Sequence, residues 1–440
     1  MPTFQMASIK SSPAVLPGNI SAVPQLVSDI AARGHELQSA GKVALRARLE
    51  LLSKARELVA ALETPRETMI RDIWTEPTYV MAVDFAFESG VWKQMVANGD
   101  VPQKVADLAK QLGIQEELLQ RLMRHIAATG RLDVVGPDEY APNVFTRALA
   151  DPVLASGYRY GYGVLPFIQI LPNDLPGDSP SVINPICIHA HKYFQKRGYT
   201  VPTTPFNNAY QFAHQTELHM FDHITQEKLR PWGDDFNNLM RGYFTGRPAW
   251  ADPAFYPAQD RLIDGFDATD KNAVMVVDVA GGAGHYTEQF RSLFPDAPGR
   301  LVVQDLPRVI DSTPDLHPKI EKMPYDFFTE QPVKGARAYY THFILHDWPD
   351  DDCVKIVGRI KDAMKPGYSK FLVHDHVVPL LGQDAEQTAL DLLMMMNYGA
   401  KERSADQWSE LLERKCGLKI TDIYHFVNGV ESVIECERPV

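Results

Sequence analysis

The chain has 440 residues, of which 45% are hydrophobic and 23% are charged. At roughly 100–200 residues per domain this length predicts two or three domains, and the hydrophobic fraction excludes a disordered chain. The net charge of −12 argues against a nucleic-acid partner, because binding to phosphates requires clustered basic residues.

The cysteines and the N-terminal segment indicate the cellular compartment. No two cysteines form a CxxC pair, which argues against a zinc knuckle or a dense disulfide framework and predicts reduced thiols. No basic segment precedes an apolar one near the N-terminus, and no run of 18 apolar residues occurs. We therefore expect a cytoplasmic protein with no membrane partner. Residues 1–21, rich in Ser, Pro and Gly, are expected to form a flexible tail.

Residues 22–150 are expected to form a mainly helical domain. Leucines recur at helical spacing among charged residues in 22–75, and a further helix is predicted over 79–97. The rest of this region has the pattern of a winged helix, with two short helices, a turn at Gly113 and a hairpin across Gly136. Residues 101–142 hold five basic and six acidic residues, so a structural or dimerisation role is favoured over DNA binding.

Residues 151–270 are predicted to be a helical linker that contributes to the substrate pocket. His214, His219 and His223 are predicted to lie on one helix, and the last two have the i, i+4 spacing that can hold zinc. However, no Glu follows the first His as in HExxH, and no Cys is near. Core or pocket histidines are therefore favoured, and no metal is predicted.

Residues 271–440 alternate between apolar runs and helical stretches, which predicts a mostly parallel sheet with helices on both faces. Two late runs, Ile420–Phe426 and Val430–Cys436, are close enough to pair as an antiparallel hairpin at a sheet edge. The other predicted strands are Val274–Val279, Leu301–Val303, Ala338–Leu345 and Phe371–Val373.

The turn after the first of these strands is the most informative segment. It runs from Asp278 to Gly284 as DVAGGAG, and a helix follows. Ligands of such sheets bind beyond the carboxyl ends of the strands, where small residues allow close backbone approach. The spacing fits neither GxGxxG nor a Walker loop. Asp305 ends the next strand, where an acidic residue can accept hydrogen bonds from ribose hydroxyls.

These segments, together with HDWPDDDC at His346–Cys353 and GAKERS at Gly399–Ser404, resemble the plant caffeate-type and fungal O-methyltransferases. The resemblance covers about residues 75–440. It implies an α/β class protein: a Rossmann-like S-adenosylmethionine domain preceded by a mainly helical winged-helix dimerisation domain. It therefore also implies a homodimer and S-adenosylmethionine as the cofactor.

The resemblance assigns residues to the cofactor. The loop faces its methionine end, an acid binds the ribose, and a pair in YDFF flanks the adenine. Two departures concern this set, because Ala280 replaces a Gly and His342 replaces a Lys or Arg. The implied cofactor residues are Asp278, Ala280, Gly281, Gly282, Gly284, Asp305, Leu306, Asp326, Phe327, His342 and Trp348.

The first residue of HDW is the family's catalytic base, which implies that role for His346. An imidazole can remove a phenol or enol proton near neutral pH. The resemblance implies that two acids orient this base, Asp375 and Glu402. Plant members often carry Glu at the first of these positions, so the shorter Asp375 is expected to hold His346 more loosely.

The expected activity is O-methylation of a hydroxyl on a small aromatic or polyketide-type secondary metabolite. The alternative is a methyltransferase-like fungal enzyme that binds S-adenosylmethionine yet catalyses dehydration or pericyclic cyclisation. Many pocket histidines fit the alternative, whereas the retained base and acids argue against it. The residues expected to line the substrate pocket are His189, His191, Phe206, Tyr210, His214, Phe236, Met240, Met394, Met395 and Asn397.

Overall fold

The computed structural model describes residues 13–39, 45–161, 181–243, 246–247, 249–313, 315–383, 385–426 and 431–440. The chain divides into two compact units, each formed by two segments. The first unit is Met1–Asn184 with Glu227–Thr245, and the second is Pro185–Gln226 with Gly246–Val440. The predicted linker region 151–270 therefore contributes to both units. None of the described helices is both long and apolar enough to span a lipid bilayer.

The helices are α1 (Val23–Ser39), α2 (Leu45–Leu62), α3 (Pro65–Ile70), α4 (Glu76–Glu88), α5 (Val91–Ala97), α6 (Val105–Leu112), α7 (Glu116–Ala128), α8 (Val144–Leu149), α9 (Pro152–Gly161), α10 (Ile183–Lys196), α11 (Ala209–His214), α12 (Met220–Ile224), α13 (Arg230–Tyr243), α14 (His285–Leu293), α15 (Pro307–Ser312), α16 (Asp350–Ala363), α17 (Ala385–Tyr398) and α18 (Ala405–Ser409). The strands are β1 (Gln103–Lys104), β2 (Asp133–Gly136), β3 (Glu139–Ala141), β4 (Val274–Val279), β5 (Arg300–Asp305), β6 (Ile320–Pro324), β7 (Ala338–His342), β8 (Lys370–Asp375), β9 (Lys419–His425) and β10 (Ser432–Glu437).

The first unit contains the two helices and the hairpin that the sequence predicts. Helix α6 ends at Gly113, whose φ of +68° reverses the chain, and β2 pairs antiparallel with β3. Strand β1 joins the hairpin, so the small sheet has the order β1-β3-β2. The single helix predicted over 79–97 is wrong, because Gly90 adopts a φ of +79° and separates α4 from α5. Trp92 is buried in the core of this unit.

The second unit is built on a seven-stranded sheet with the order β6-β5-β4-β7-β8-β10-β9. Strands β4 to β8 are parallel, and β10 pairs antiparallel with both β8 and β9. The edge hairpin and the predicted strands are therefore confirmed, except that the strand predicted over Ala338–Leu345 ends at His342, because Leu345 begins a tight turn, and that Val430 lies outside the described residues. The sequence did not reveal β6, an edge strand in which only Ile320 is buried and half-buried and exposed residues then alternate, so that no apolar run forms.

Parallel pairing aligns the carboxyl ends of β4, β5, β7 and β8 along one edge of the sheet. Asp278, Asp305, His342 and Asp375 all lie at or beside those ends. Open α/β sheets bind their ligands at this edge. The fold therefore gathers residues that are about 100 positions apart in the chain.

A buried carboxylate on β10 connects this sheet to the segment that precedes it. Glu435 is fully buried and accepts hydrogen bonds from the Tyr256 hydroxyl at 2.8 Å and from Arg261. On the sheet side, Lys370 Nζ lies 3.0 Å from Glu435 Oε1, and Thr421 Oγ1 donates to the same oxygen at 2.8 Å. Burial opposes ionisation, but these cations and donors lower the pKa of Glu435 to about 2.

We expect Glu435→Gln to lower the free energy of unfolding by about 3–5 kcal/mol, because it leaves two cations beside a neutral group. The folded pKa is below the unfolded value, so this stabilisation is present above about pH 4.5 and is lost as the pH falls toward 2. Urea unfolding at pH 7 measures the difference. The control Glu437→Gln removes a partly exposed partner of Lys370 and should cost less than about 1 kcal/mol. Equal costs would contradict this prediction.

Candidate active site

The predicted cofactor loop is a tight turn between β4 and α14. Ala280, Gly282 and Gly284 adopt φ values of +58°, +55° and +76°. The N–H of Gly281 donates to the carbonyl of Gln304 at 2.9 Å, which ties the loop to β5. A Cβ at Gly281 would lie 2.6 Å from the carboxyl carbon of Asp278, so only glycine fits. At its glycines the loop therefore has no side chain, so a ligand can approach the backbone closely there.

Two carboxylates flank this loop. Asp278 is buried, accepts a hydrogen bond from Thr287 Oγ1 at 2.8 Å, and burial raises its pKa to about 7. Asp305 accepts from the N–H groups of Gly282 at 2.8 Å and Leu306 at 2.7 Å, one on each oxygen. A carboxylate oxygen can accept a second hydrogen bond, so Asp305 retains capacity for two neighbouring hydroxyl donors. This donor and acceptor set fits a ribose.

The residues predicted around the adenine include an aromatic group. The rings of Phe327 and Trp348 meet edge to face with centroids 5.8 Å apart, whereas Asp326 is exposed and accepts from the N–H of Phe328. The ring of Trp348 also stacks on His219 at 5.0 Å and an interplanar angle of 10°. These side chains form one aromatic surface in the second unit.

His342 lies at the end of β7 with its ring centroid 4.3 Å from those of both Tyr286 and His374. Burial holds the pKa of His342 well below its usual value, so this side chain is neutral at physiological pH. The fixed charge that a Lys or Arg would place here is therefore absent, as the sequence comparison with the family implied.

Ala280 is strained by its left-handed backbone, which costs an L-residue with a Cβ about 1–2 kcal/mol. We expect Ala280→Gly to raise the free energy of unfolding by about 0.5–1 kcal/mol, after the entropy of glycine in the unfolded chain is subtracted. Gly284→Ala is the matched opposite, because its Cβ would lie 2.7 Å from Leu316 Cδ1 and should destabilise the fold. Urea unfolding of both variants measures this. Destabilisation by Ala280→Gly would contradict the prediction.

The structure brings the three predicted catalytic residues together. His346 lies in the turn Leu345–Asp347 after β7, and its Nδ1 is 2.7 Å from Glu402 Oε1. Asp375 Oδ1 is 3.9 Å from the same nitrogen, so the shorter acid does not reach hydrogen-bonding distance. On the other side of the ring, Nε2 is 3.5 Å from Asp347 Oδ1, an acid that the sequence had not suggested. The imidazole is buried among three carboxylates.

This carboxylate cluster controls the protonation of His346. Burial opposes the charged form of the imidazole, but Glu402, Asp347 and Asp375 outweigh it and raise the pKa of His346 to about 10. Burial in turn raises the pKa of both Asp347 and Asp375 to about 7. A positive charge brought beside the cluster would lower the pKa of His346, because it disfavours a second cation nearby.

We expect the stability of the cofactor-free protein to fall between pH 6.5 and 10. The folded pKa of His346 lies above its unfolded value, so its stabilisation is complete below pH 6.5 and is lost as the pH rises through 10. The raised pKa values of Asp347 and Asp375 act in the same direction at lower pH. Urea unfolding across this range should show a shallower slope for His346→Gln, and equal slopes would argue against the prediction.

The residues predicted to line the substrate pocket fall into several environments. Tyr210 is buried, and its hydroxyl lies 2.7 Å from His223 Nδ1. His214 is also buried, with its ring 4.6 Å from that of Tyr210. His189 is half-buried and Phe206 is 56% exposed. His191 is exposed in a surface depression that contains none of the predicted catalytic or cofactor residues.

The remaining predicted pocket residues lie on two helices. Met394 and Asn397 are buried on α17, and Met395 is half-buried there. The backbone carbonyl of Asn397 accepts from Asn208 Nδ2 at 2.8 Å, so α17 is fixed against the loop before α11. Phe236 and Met240 lie on α13 of the first unit, where the Phe236 ring is 5.5 Å from that of Tyr160. The structure therefore divides the predicted pocket residues between the two units.

Sequence reasoning placed three histidines on one helix, and this is wrong. Helix α11 ends at His214 because Gln215 adopts a φ of +50°. His219 instead caps the start of α12, with its Nδ1 accepting from the N–H of Phe221 at 3.3 Å. Burial lowers the pKa of His219 to about 4, which leaves it neutral beside Trp348. No residue in the sequence between 214 and 219 is a glycine or proline that would have signalled the break.

A cluster of two histidines and one glutamate resembles a metal site by distance alone. One nitrogen or oxygen each from His342, His374 and Glu431 lie within 4.8 Å of one another. However, Glu431 forms an ion pair with Arg247, and His374 Nδ1 is 2.7 Å from the Tyr340 hydroxyl. The arginine already neutralises the carboxylate, so we interpret the cluster as a hydrogen-bonded network at the edge of the sheet.

Comparison with known proteins identifies the family of this chain. Residues 259–417 match the model of the O-methyltransferase domain. The chain is 33% identical to the O-methyltransferase mpaG of Penicillium brevicompactum over 95% of this chain and 98% of that relative. The solved structure of LepI in complex with SAM superimposes with a TM-score of 0.79 and 27% identity, over 95% of this chain and all of LepI. The solved structure of a pericyclic reaction enzyme superimposes with a TM-score of 0.79 and 26% identity, over 94% of this chain and 99% of that enzyme.

The chain therefore belongs to the O-methyltransferase family, and S-adenosylmethionine is its cofactor. The predicted Rossmann-like α/β class and the predicted cofactor are confirmed.

Proposed function

We propose that the enzyme methylates a hydroxyl of a small aromatic or polyketide-type metabolite, with His346 as the general base. The buried His346–Glu402 pair at 2.7 Å is the observation that carries this proposal. The pair lies at the same edge of the sheet as the Asp278–Gly284 loop. An imidazole held by a carboxylate can accept a proton and retain its orientation while doing so.

S-adenosylmethionine, when bound, supplies an electrophilic methyl group. We propose that the Asp278–Gly284 loop and Asp305 hold the cofactor, and that Phe327 and Trp348 flank its adenine. His346 donates a hydrogen bond from its Nδ1–H to Glu402, keeps that proton, and accepts the substrate proton at Nε2. Glu402 then stabilises the imidazolium. Burial of the pair excludes water, which strengthens these interactions.

We further propose that the protein is a cytoplasmic homodimer that associates through residues 22–150. Large apolar side chains exposed on this part of the described chain support the proposal, because an uncovered apolar surface of this kind usually marks an interface. They include Val27, Val59, Leu62, Met69, Ile73 and Trp74. Light scattering that gives the mass of a single chain would contradict the dimer.

A second candidate function, as an alternative to methyl transfer, is pericyclic cyclisation or dehydration. The similarity to a pericyclic reaction enzyme and the neutral His342 favour it. A neutral imidazole can polarise a carbonyl by donating a hydrogen bond. The intact His346–Glu402 pair argues against pericyclic cyclisation, because a pericyclic step transfers no proton and would give a base held by a carboxylate no role.

Incubation with S-adenosylmethionine labelled in its methyl group separates the two functions. We expect label in the product when the protein is given phenols and polyketide enols, with one equivalent of S-adenosylhomocysteine formed per turnover. The matched reaction contains S-adenosylhomocysteine in place of the donor. Product that forms equally in both reactions would mean that the donor is not consumed, and the methyl-transfer proposal would then fail.

A further inference from the structure

A second imidazole lies near the Glu402 oxygen that does not contact His346. His376 is fully buried, and its Nδ1 lies 3.4 Å from Glu402 Oε2, while Oε1 of the same carboxylate holds His346. Glu402 Oε2 and both ring nitrogens of His376 form no hydrogen bond among the described residues, so the approach of His376 Nδ1 to Oε2 is a loose contact. Buried polar atoms are rarely left without partners, and at 3.4 Å each of these two groups is within reach of the other.

Backbone contacts hold the segment that carries His376. The residue after it, Val377, forms a parallel bridge with Arg403, and the N–H of Val378 donates to the Arg403 carbonyl at 2.9 Å. Trp408 Nε1 donates to the carbonyl of His376 at 2.8 Å. These contacts hold the segment after β8 directly beside the segment that carries Glu402.

One aromatic side chain contacts both imidazoles. The ring of Phe343 lies 4.7 Å from that of His346 and 4.9 Å from that of His376, so it packs against both. The charged groups around Glu402 are Asp347 and Asp375 beside His346, Arg403 on the same segment, and Asp391, which accepts from the N–H of Glu402 at 2.9 Å. None of these four groups forms a recorded contact with the Glu402 carboxylate oxygens among the described residues, whereas His346 and His376 do.

We propose that His376 is a positioning residue whose Nδ1–H holds the second oxygen of Glu402, so that this carboxylate is shared between two imidazoles. The proposal rests on the role of His346 as the base. Three carboxylates favour the protonated form of His346, and a base must be neutral to accept a proton. By engaging part of the charge of Glu402, His376 keeps His346 from being too firmly protonated. It also fixes the orientation of the carboxylate.

The sign of the effect follows from this sharing. Without His376, the whole charge of Glu402 acts on His346, so the pKa of His346 rises. In a plot of kcat against pH, the fall in kcat at low pH reports protonation of His346. This low-pH limb then moves to higher pH. His376→Phe keeps the ring and removes the donor, whereas His376→Asn keeps an amide N–H close to the position of Nδ1.

The kinetic test is the dependence of kcat on pH for the wild type and these two variants. We expect His376→Phe to move the limb upward by about one unit, which is about a tenfold loss of kcat below the limb and little loss above it. We expect His376→Asn to keep the wild-type limb. A merely structural role would lower kcat at every pH. Identical limbs in wild type and His376→Phe, or equal shifts in both variants, would overturn the proposal.

A second measurement does not depend on turnover or on the stability of a variant. Nitrogen NMR of the wild-type protein with S-adenosylhomocysteine reports the tautomer of each histidine ring. We expect the proton of His376 on Nδ1, and a ring with its only proton on Nε2 would refute the proposal. Separate spectra of His376→Phe should show the His346 titration at higher pH than in the wild type. If the wild type transfers no methyl group, the proposed function fails, while these spectra still decide the role of His376.

Discussion

His346→Ala is expected to lower kcat for methyl transfer by about 10²–10⁴-fold, because it removes the proposed general base. His346 Nδ1 is 2.7 Å from Glu402 Oε1, and the imidazole lies among three buried carboxylates. No other described histidine combines a carboxylate at this distance with this position at the sheet edge. The substrate hydroxyl would therefore have to lose its proton to water in the variant.

Methyl-labelled product in single-turnover reactions measures the chemical step directly. Binding of S-adenosylhomocysteine should remain within about twofold of the wild type, because none of the predicted cofactor contacts depends on this ring. His425→Ala, on the exposed edge strand β9, is the matched control and should retain wild-type kcat. A rate for His346→Ala within tenfold of the wild type would exclude a base role and favour cyclisation without methyl transfer.

The parts of this site that the sequence revealed are those encoded by contiguous residues. The Asp278–Gly284 turn is recognisable because a buried strand, small residues and a helix follow one another within a few positions. His346 and Glu402 were identified because each lies in a short segment typical of the family. The structure adds that the turn after β7 and the segment after α17 bring His346 Nδ1 to 2.7 Å from Glu402 Oε1.

The parts that the sequence did not reveal depend on contacts between distant segments. His376 acquires its role because the bridge between Val377 and Arg403 lays one segment beside another, and no local pattern encodes that bridge. His219 reaches Trp348 because Gln215 ends α11 early, and glutamine is not a residue that predicts such a turn. Strand β6 lacks an apolar run because it lies at the edge of the sheet.

Asp305→Ala is expected to weaken binding of S-adenosylhomocysteine by about 10²–10⁴-fold. The proposed contacts are two hydrogen bonds from ribose hydroxyls to a carboxylate, and each is worth about 1.5–3 kcal/mol. The same side chain accepts from the N–H groups of Gly282 and Leu306, so its loss also loosens the loop. Burial raises the pKa of Asp305, and the backbone donors oppose that shift by favouring the carboxylate.

Calorimetric titration with S-adenosylhomocysteine tests this, and Asp305→Asn separates the two contributions. The amide keeps one acceptor oxygen, so it can support one backbone N–H while it loses the charge and one hydroxyl contact. Its affinity should fall between those of the wild type and Asp305→Ala. Asp326→Ala provides the contrast, because among the described residues that exposed carboxylate accepts only from the N–H of Phe328, and its loss should weaken binding by less than about tenfold. If both alanine variants bound the ligand as tightly as the wild type, the ribose would have to be held elsewhere. The edge formed by β4 and β5 would then not be the cofactor site.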